Sequence, residues 1–404
     1  MHPRARILFK VIKRPAYTLQ AAMMLVAVMT LSSCGRTSIE TPFAEEMPVA
    51  FGVYSARGSS AAAKSTKADT QYYIDGSSVT NIPAGKNMSV YAWYHDGTGT
   101  TDGSWAADEA ADSNIPDFMY DQMVTNAGTT AVPALQYSPV KYWPNETGGT
   151  VSAHADKLSF WGYYPYHASG LTLKNSSDAS YTNTSSGLPK AEFVVNEDPK
   201  DQVDLMFSKL ESDLVKPAVD GRVQLKLRHA LSLVLFQVNA GSDLPAGATV
   251  HINSMSLSNI KDKGTCASPQ ADISSDEDAA LYWSGQTTAG TGTIVLEDAD
   301  FDSPQAAMLL MPQTLTAGSP VTASASVLTV DYDIVFAAAD GSDPIHYNNT
   351  AESKLWADSP SAYGVKTWLP GRKYIYKINA GLEIIEFEAV VAESWTGTTN
   401  QDVE

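Results

Sequence analysis

Val223-Gln224-Leu225-Lys226-Leu227-Arg228-His229-Ala230-Leu231-Ser232-Leu233-Val234-Leu235 alternates with a period of two. Successive side chains of an extended chain point to opposite sides, so Val223, Leu225, Leu227, Leu231, Leu233 and Leu235 share one face. The other face starts polar, with Gln224, Lys226 and Arg228, and turns apolar at Val234 and Phe236. One long strand entering the middle of a sandwich accounts for this pattern.

The same period recurs on both sides of that stretch. Leu328, Val330, Tyr332, Ile334 and Phe336 line one face of a second strand, and Tyr374, Tyr376 and Ile378 line a third. Ile385, Phe387, Ala389 and Val391 line a fourth, with Glu386 and Glu388 opposite. In the first half, Val49 to Tyr54, Met88 to Tyr94, Leu158 to Tyr164 and Asp204 to Ser208 read as strands. Clusters of Gly, Pro, Asn, Asp and Ser interrupt these runs, and beyond the first 34 residues no stretch carries a helical period. The chain reads as all-β, most simply two β-sandwiches in series. The polar stretch Lys209 to Gly221, which contains Pro217, marks a boundary near residue 215. That gives a domain over 34–215 and another over 216–404.

Residues 1–33 read as a signal peptide. Arg4, Arg6, Lys10, Lys13 and Arg14 precede an apolar run from Ala21 to Leu31 that is too short to remain across a bilayer. Leu31-Ser32-Ser33-Cys34 then has the form of a lipobox, in which the Cys34 thiol takes lipid (palmitate among its acyl chains) and becomes the mature N-terminus. The alternative is an ordinary signal peptide with an incidental cysteine. Two or three acyl chains hold a protein on a membrane, since each buried methylene contributes about 0.8 kcal/mol. This places the chain outside the cytoplasm, attached to the outer membrane by lipid.

The net charge of −18 becomes −23 once five bases and no acid leave with the signal. Nucleic acid and anionic lipid both need positive surface, so neither is a partner. The chain has two cysteines. With Cys34 lipidated, Cys266 has no disulfide partner within the chain. Its surroundings, Lys263-Gly264-Thr265-Cys266-Ala267-Ser268-Pro269, read as a turn with no signature of a catalytic thiol.

The search for catalytic chemistry finds no zinc helix, nucleophile elbow, phosphate loop or dinucleotide fingerprint. No cofactor and no catalytic residue is implied. His229 falls on the apolar face of the best strand, where it reads either as a ligand or general base, or as a core histidine bonded to a backbone carbonyl. Acids cluster at Asp102-Asp108-Glu109-Asp112-Asp117 and at Asp272-Asp276-Glu277-Asp278. These read as solvated loops or, without a recognisable ligand spacing, as calcium loops. Eight Trp and 19 Tyr suit either carbohydrate stacking or the packing of sheet faces.

Five phrases occur in order. Val140-Lys141-Tyr142-Trp143-Pro144 precedes Leu158-Ser159-Phe160-Trp161-Gly162-Tyr163-Tyr164-Pro165, followed by Gln202-Val203-Asp204-Leu205-Met206. Leu227-Arg228-His229-Ala230-Leu231-Ser232 and Trp368-Leu369-Pro370-Gly371 come after. With a lipobox in front, this order resembles the fimbrillin family of Bacteroidales, the lipoprotein pilins of the type V pilus. The resemblance implies two transthyretin-like β-sandwich domains. It also implies that a trypsin-like, usually arginine-specific protease cuts after an early strand, and that the C-terminal strand of another subunit fills the vacated groove. The removable strand is then Val49 to Tyr54. The cut falls at Arg57, the only arginine of the following loop, or at Lys67, where the family has Thr-Arg-Ala and this chain has Thr66-Lys67-Ala68. The donor strand carries Ile385, Phe387, Ala389 and Val391. The function implied is a structural subunit of a cell-surface fimbria, partnered by other pilin subunits and supporting adhesion. The alternative is a pilus tip adhesin or glycan-binding surface lipoprotein that meets a host or bacterial receptor. That reading asks for an exposed aromatic patch from Trp93, Trp105, Trp283 or Trp356.

Overall fold

The computed structural model describes residues 46–53, 82–97, 101–129, 134–144, 155–217, 221–244, 247–271, 273, 275–297, 306–316, 324–336, 343–356, 365–382 and 385–394. It is built almost wholly from strands, in agreement with the all-β reading.

Two sheets and a strand pair dominate the first half. β1 (Ala50–Val53) pairs in parallel with β10 (Arg222–Leu225). β2 (Asn87–His95), β3 (Met119–Asn126), β4 (Leu135–Gln136), β5 (Lys157–Tyr164), β8 (Met206–Ser208) and β11 (Leu227–His229) form a sheet of order β11-β8-β5-β2-β3-β4. β9 (Glu211–Leu214) also pairs with β5. A further sheet has the order β15-β14-β7-β6, built from β6 (Leu171–Lys174), β7 (Lys190–Val194), β14 (Lys263–Cys266) and β15 (Ser284–Thr287). This sheet joins strands from either side of residue 215, and β10 and β11, which follow that residue, pair with β1 and β8.

β2 and β5 are covered on both faces. Met88, Val90, Leu158 and Phe160 face a core completed by Val49, by Phe51 of β1 and by Val223 and Leu225 of β10. Tyr91, Trp93, Trp161 and Tyr163, at the alternate positions, enter a second core with Phe193 of β7 and Trp283. A strand buried on both faces carries apolar side chains at most positions, which is why β2 and β5 show no clean alternation.

The second half stacks two sheets. One has the order β17-β12-β22-β23, from β12 (Ser232–Ala240), β17 (Ala306–Leu310), β22 (Arg372–Ala380) and β23 (Ile385–Ser394). The other has the order β16-β13-β19-β20, from β13 (Thr249–Ser258), β16 (Ile294–Glu297), β19 (Val327–Phe336) and β20 (Ile345–Lys354). β18 (Gln313–Thr314) and β21 (Thr367–Trp368) form a separate pair. Leu328, Val330, Tyr332 and Ile334 of β19 and Tyr374, Tyr376 and Ile378 of β22 are buried, as their alternation predicts.

Four local expectations change. The stretch 223–235 is not one strand but parts of β10, β11 and β12, each in a different sheet. The breaks fall where peptide groups bond outside the ladder. Lys226 accepts from the Lys209 amide, Ala230 donates to Leu205 and accepts from the Trp283 indole, and Leu231 accepts from Gly371. Arg228, placed by alternation on a polar face, is fully buried. Two short helices also occur where none was expected. α1 (Trp105–Ala110) and α2 (Asp276–Leu281) are capped by Ser104 and Ser275, whose hydroxyls accept from the Ala107 and Asp278 amides. At six residues each they are too short to show a period. The segment around Cys266 is strand β14, and the turn begins after it.

Candidate functional site

The stretch 47–53 runs between two other backbones. On one side Ala50 stands opposite Arg222, Phe51 opposite Val223, Gly52 opposite Gln224 and Val53 opposite Leu225. On the other, the Val49 amide donates to the Lys141 carbonyl at 2.8 Å and the Trp143 amide donates to the Met47 carbonyl at 2.9 Å. Pro48 and Tyr142 form an antiparallel bridge there. The Ala50 amide and the Trp143 indole both donate to the Gly221 carbonyl, at 3.0 and 2.8 Å. Gly221 has a φ of +25°, and a Cβ at this position would overlap the Pro48 carbonyl oxygen, so only glycine admits this approach.

Side chains along the stretch alternate large and small. Val49 and Phe51 are 2% and 4% exposed. The Phe51 ring lies 5.4 Å from Tyr137 and 5.8 Å, edge-on, from Phe160. Ala50 and Gly52 point outward, with the side chains of Arg222 and Gln224 over Gly52. The Tyr137 hydroxyl donates to the Val49 carbonyl at 2.8 Å. Burying two such side chains contributes about 1.5–3 kcal/mol each. This short strand therefore plugs a slot, and its removal would bare two backbone edges and an apolar hole.

Cys34, Arg57 and Lys67 lie outside the described residues. The donor candidates lie on β23, which is antiparallel to β22 and at the edge of its sheet among the described residues. Ile385 is buried, and Ile385 and Phe387 stand opposite Ala380 and Ile378. A bulge follows, so Ala389 and Val391 stand opposite Lys377 and Ile375 instead of continuing the same row.

The titratable candidates are structural in their surroundings. His229 Nδ1 is 2.7 Å from Asp204 Oδ1, with side chains 1% and 6% exposed. The partner is a carboxylate rather than the backbone carbonyl expected, and the pair joins β11 to the approach to β8. Arg228 donates to the carbonyls of Ala271 and Pro269 and to the Tyr282 hydroxyl, with its guanidinium 4.4 Å from that ring's centre. Burial pushes the Cys266 thiol up to about 12, so it stays a neutral thiol.

Sequence reasoning missed one constellation. His95 Nδ1 is 2.5 Å from Asp108 Oδ2, and His95 Nε2 is 2.8 Å from Ser159 Oγ. Serine, histidine and aspartate in this order serve nucleophilic hydrolysis elsewhere. Here His95 and Ser159 are fully buried, and Ser159 Oγ also accepts the Asp213 amide at 3.1 Å. The set fastens α1 to β2 and β5. No motif links positions 95, 108 and 159 in the sequence.

The four tryptophans do not make an exposed patch. Trp93 and Trp283 are core residues, Trp105 packs edge-on against Trp93 at 5.3 Å, and Lys366 covers the partly buried Trp356. The acidic clusters contribute Asp108 and Glu109 to α1 and Asp276, Glu277 and Asp278 to the first turn of α2. Among the described residues, no three His, Cys, Asp or Glu gather as a metal site.

A fimbrial protein from Bacteroides vulgatus superimposes on this architecture with a TM-score of 0.53 at 19% identity, covering 76% of this chain and 93% of that one. It shares the fold. A candidate cell adhesion protein from Bacteroides uniformis gives a TM-score of 0.44 at 20% identity, over 79% and 94% of the two chains. The tip fimbrial protein Mfa3 from Porphyromonas gingivalis gives 0.33 at 10% identity, over 78% and 95%. No curated protein matches the chain. A family model described as fimbrillin-like matches residues 66–395, most of the length, and the chain belongs to the fimbrillin-like family.

Proposed function

We propose that this chain is a fimbrial subunit that polymerises by strand replacement. It is lipidated at Cys34 and carried to the outer membrane. A protease cuts at Arg57 or Lys67, β1 leaves, and the C-terminal strand of another subunit takes its place. One observation carries the reading. The stretch 49–53 contains the four-residue strand β1, whose ladder partner among the described residues is β10, and it plugs an otherwise complete core with Val49 and Phe51. A slot of this kind is filled by an extended chain with apolar side chains at alternate positions. Each subunit then gives one end and receives at the other, and such a head-to-tail contact does not close, so it builds a filament.

The test is N-terminal sequencing of surface filaments, with electron microscopy of cells with and without the chain. Filament subunits that begin between residues 58 and 68 support the proposal. Filaments built from subunits that still carry residues 49–53 overturn it.

A further inference from the structure

The β1 slot specifies what can enter it. Its inner side offers one site for a β-branched side chain, where Val49 is buried, and one for an aromatic ring, where Phe51 meets Tyr137 and Phe160. The sites are two residues apart along a backbone that runs parallel to β10. The required sequence is therefore a β-branched residue, any residue, then phenylalanine. Within the described strands this spacing recurs at Val234/Phe236, Ile334/Phe336 and Ile385/Phe387. β12 and β19, which hold the first two, are paired on both edges. β23, which holds the third, pairs only with β22 among the described residues. A strand bonded along one edge can leave its sheet at the loss of one ladder, whereas an interior strand would disrupt two.

Resting on the strand-replacement reading, we infer that the incoming strand enters in the direction of β1, with Ile385 at the place of Val49 and Phe387 at that of Phe51. The positions between and after them then match the outer side. Glu386 takes the place of Ala50, opposite Arg222, and Glu388 that of Gly52, opposite Gln224. The outer face of β10 is exposed at both positions. The Arg222 and Gln224 side chains that lie over Gly52 are long and flexible, and they swing aside for the incoming Cβ. An acid beside Arg222 is electrostatically favoured there, and β1 itself, with alanine and glycine, supplies no such charge. Entry in the reverse direction about the same phenylalanine puts Ala389 into the Val49 site. A methyl group there leaves a void lined by packed side chains, which is costly. Reverse entry also sets Glu388, not Glu386, opposite Arg222.

Cysteine pairs distinguish these arrangements. Neighbouring strands lie about 4.8 Å apart, within the Cα separations a disulfide spans. Cells are made to express two forms of the full chain, one with Arg222→Cys and the other with Glu386→Cys. Cys266, fully buried, stays silent. Mild oxidation of intact filaments should link the two forms into dimers. Pairing Arg222→Cys with Glu388→Cys should give at least about five-fold less product. A charge-reversal pair supplies an independent readout: Arg222→Glu and Glu386→Arg should each slow assembly about two- to five-fold, as expected for an exposed pair, and the double reversal should restore it. Preferential linkage through Glu388→Cys, or equal linkage through both, overturns the register while strand replacement stands. Filaments whose subunits retain β1 overturn both. Circular dichroism of each purified monomer confirms that the variants fold.

Discussion

The hydroxyl of Tyr137 donates to the carbonyl of Val49, 88 positions earlier in the sequence, at 2.8 Å. It fixes the first strand from the side opposite β10, and the ring beneath it packs on Phe51. Tyr137→Phe keeps the ring contact and deletes the bond. The expected loss of stability is about 0.5–1.5 kcal/mol, concentrated in β1. Hydrogen exchange should show faster opening at Ala50 with little change in β2 and β5. After proteolytic nicking, the N-terminal fragment should dissociate faster than from the parent chain. Equal exchange rates at Ala50 in both proteins would contradict the role assigned to Tyr137.

Cys34→Ala should abolish labelling by palmitate and leave unprocessed precursor. The lipobox spacing in the sequence motivates this. Metabolic labelling followed by mass spectrometry of the precursor checks it, and normal processing of the variant would remove the lipid anchor from the scheme.

His229→Gln should destabilise the protein by about 1–3 kcal/mol. It removes one member of a buried pair and leaves the Asp204 carboxylate in a low-dielectric site. His229 lies on β11, whose ladder partner is β8 and not β1 or β10, so strand release and filament assembly measured below the melting temperature should be unchanged. A variant of parental stability that fails to assemble would assign His229 a functional role.

Stability should fall between about pH 9 and pH 12 as buried thiol and phenol groups ionise. Burial raises Cys266 to about 12, and it raises Tyr163, Tyr164 and Tyr374 to about 12 as well. Tyr91, Tyr181, Tyr282 and Tyr376 are raised further by the same cause. For Tyr376 it is the full burial of the phenol that disfavours the phenolate, against a bond from the Trp368 indole that favours it. In the unfolded chain these groups ionise near their ordinary values of about 8.5 for Cys and 10 for Tyr. Each folded-state value is raised, so the contribution is fully present below the unfolded value and is lost as pH rises toward the folded one. Denaturant midpoints measured from pH 8 to pH 12 should decline steadily above about pH 9. In the Cys34→Ala protein, a thiol reagent at about pH 8 should modify Cys266 only after denaturant is added. A flat profile, or rapid modification of the native protein, would mean that these groups are solvated.

Much of the fold was legible in the sequence, and the reason differs by element. β19 and β22 sit with one face in the core, so Leu328 to Ile334 and Tyr374 to Ile378 carry the period of two openly. The first strand was legible too, read over Val49 to Tyr54, whereas its removal was implied only by the family resemblance. The helices α1 and α2 were not, since a single capped turn or two has no room for a period. The tryptophans named for an aromatic patch could not be placed from sequence either, because composition does not say which face of a strand is covered.

The class of the fold, the positions of the longer core strands and the family were already set in the sequence, since local alternation and ordered motifs are properties of neighbours along the chain. The division of 223–235 among three sheets comes from long-range contacts. The bends at Lys226, Ala230 and Leu231 are made by Lys209, Leu205, Trp283 and Gly371, which are distant in sequence and leave no local trace. The same holds for Asp204 with His229, for Ser159 with His95, and for the slot between β10 and 141–143. Each depends on which backbones lie side by side, and burial of apolar surface, being non-directional, selects those neighbours only when the whole core closes.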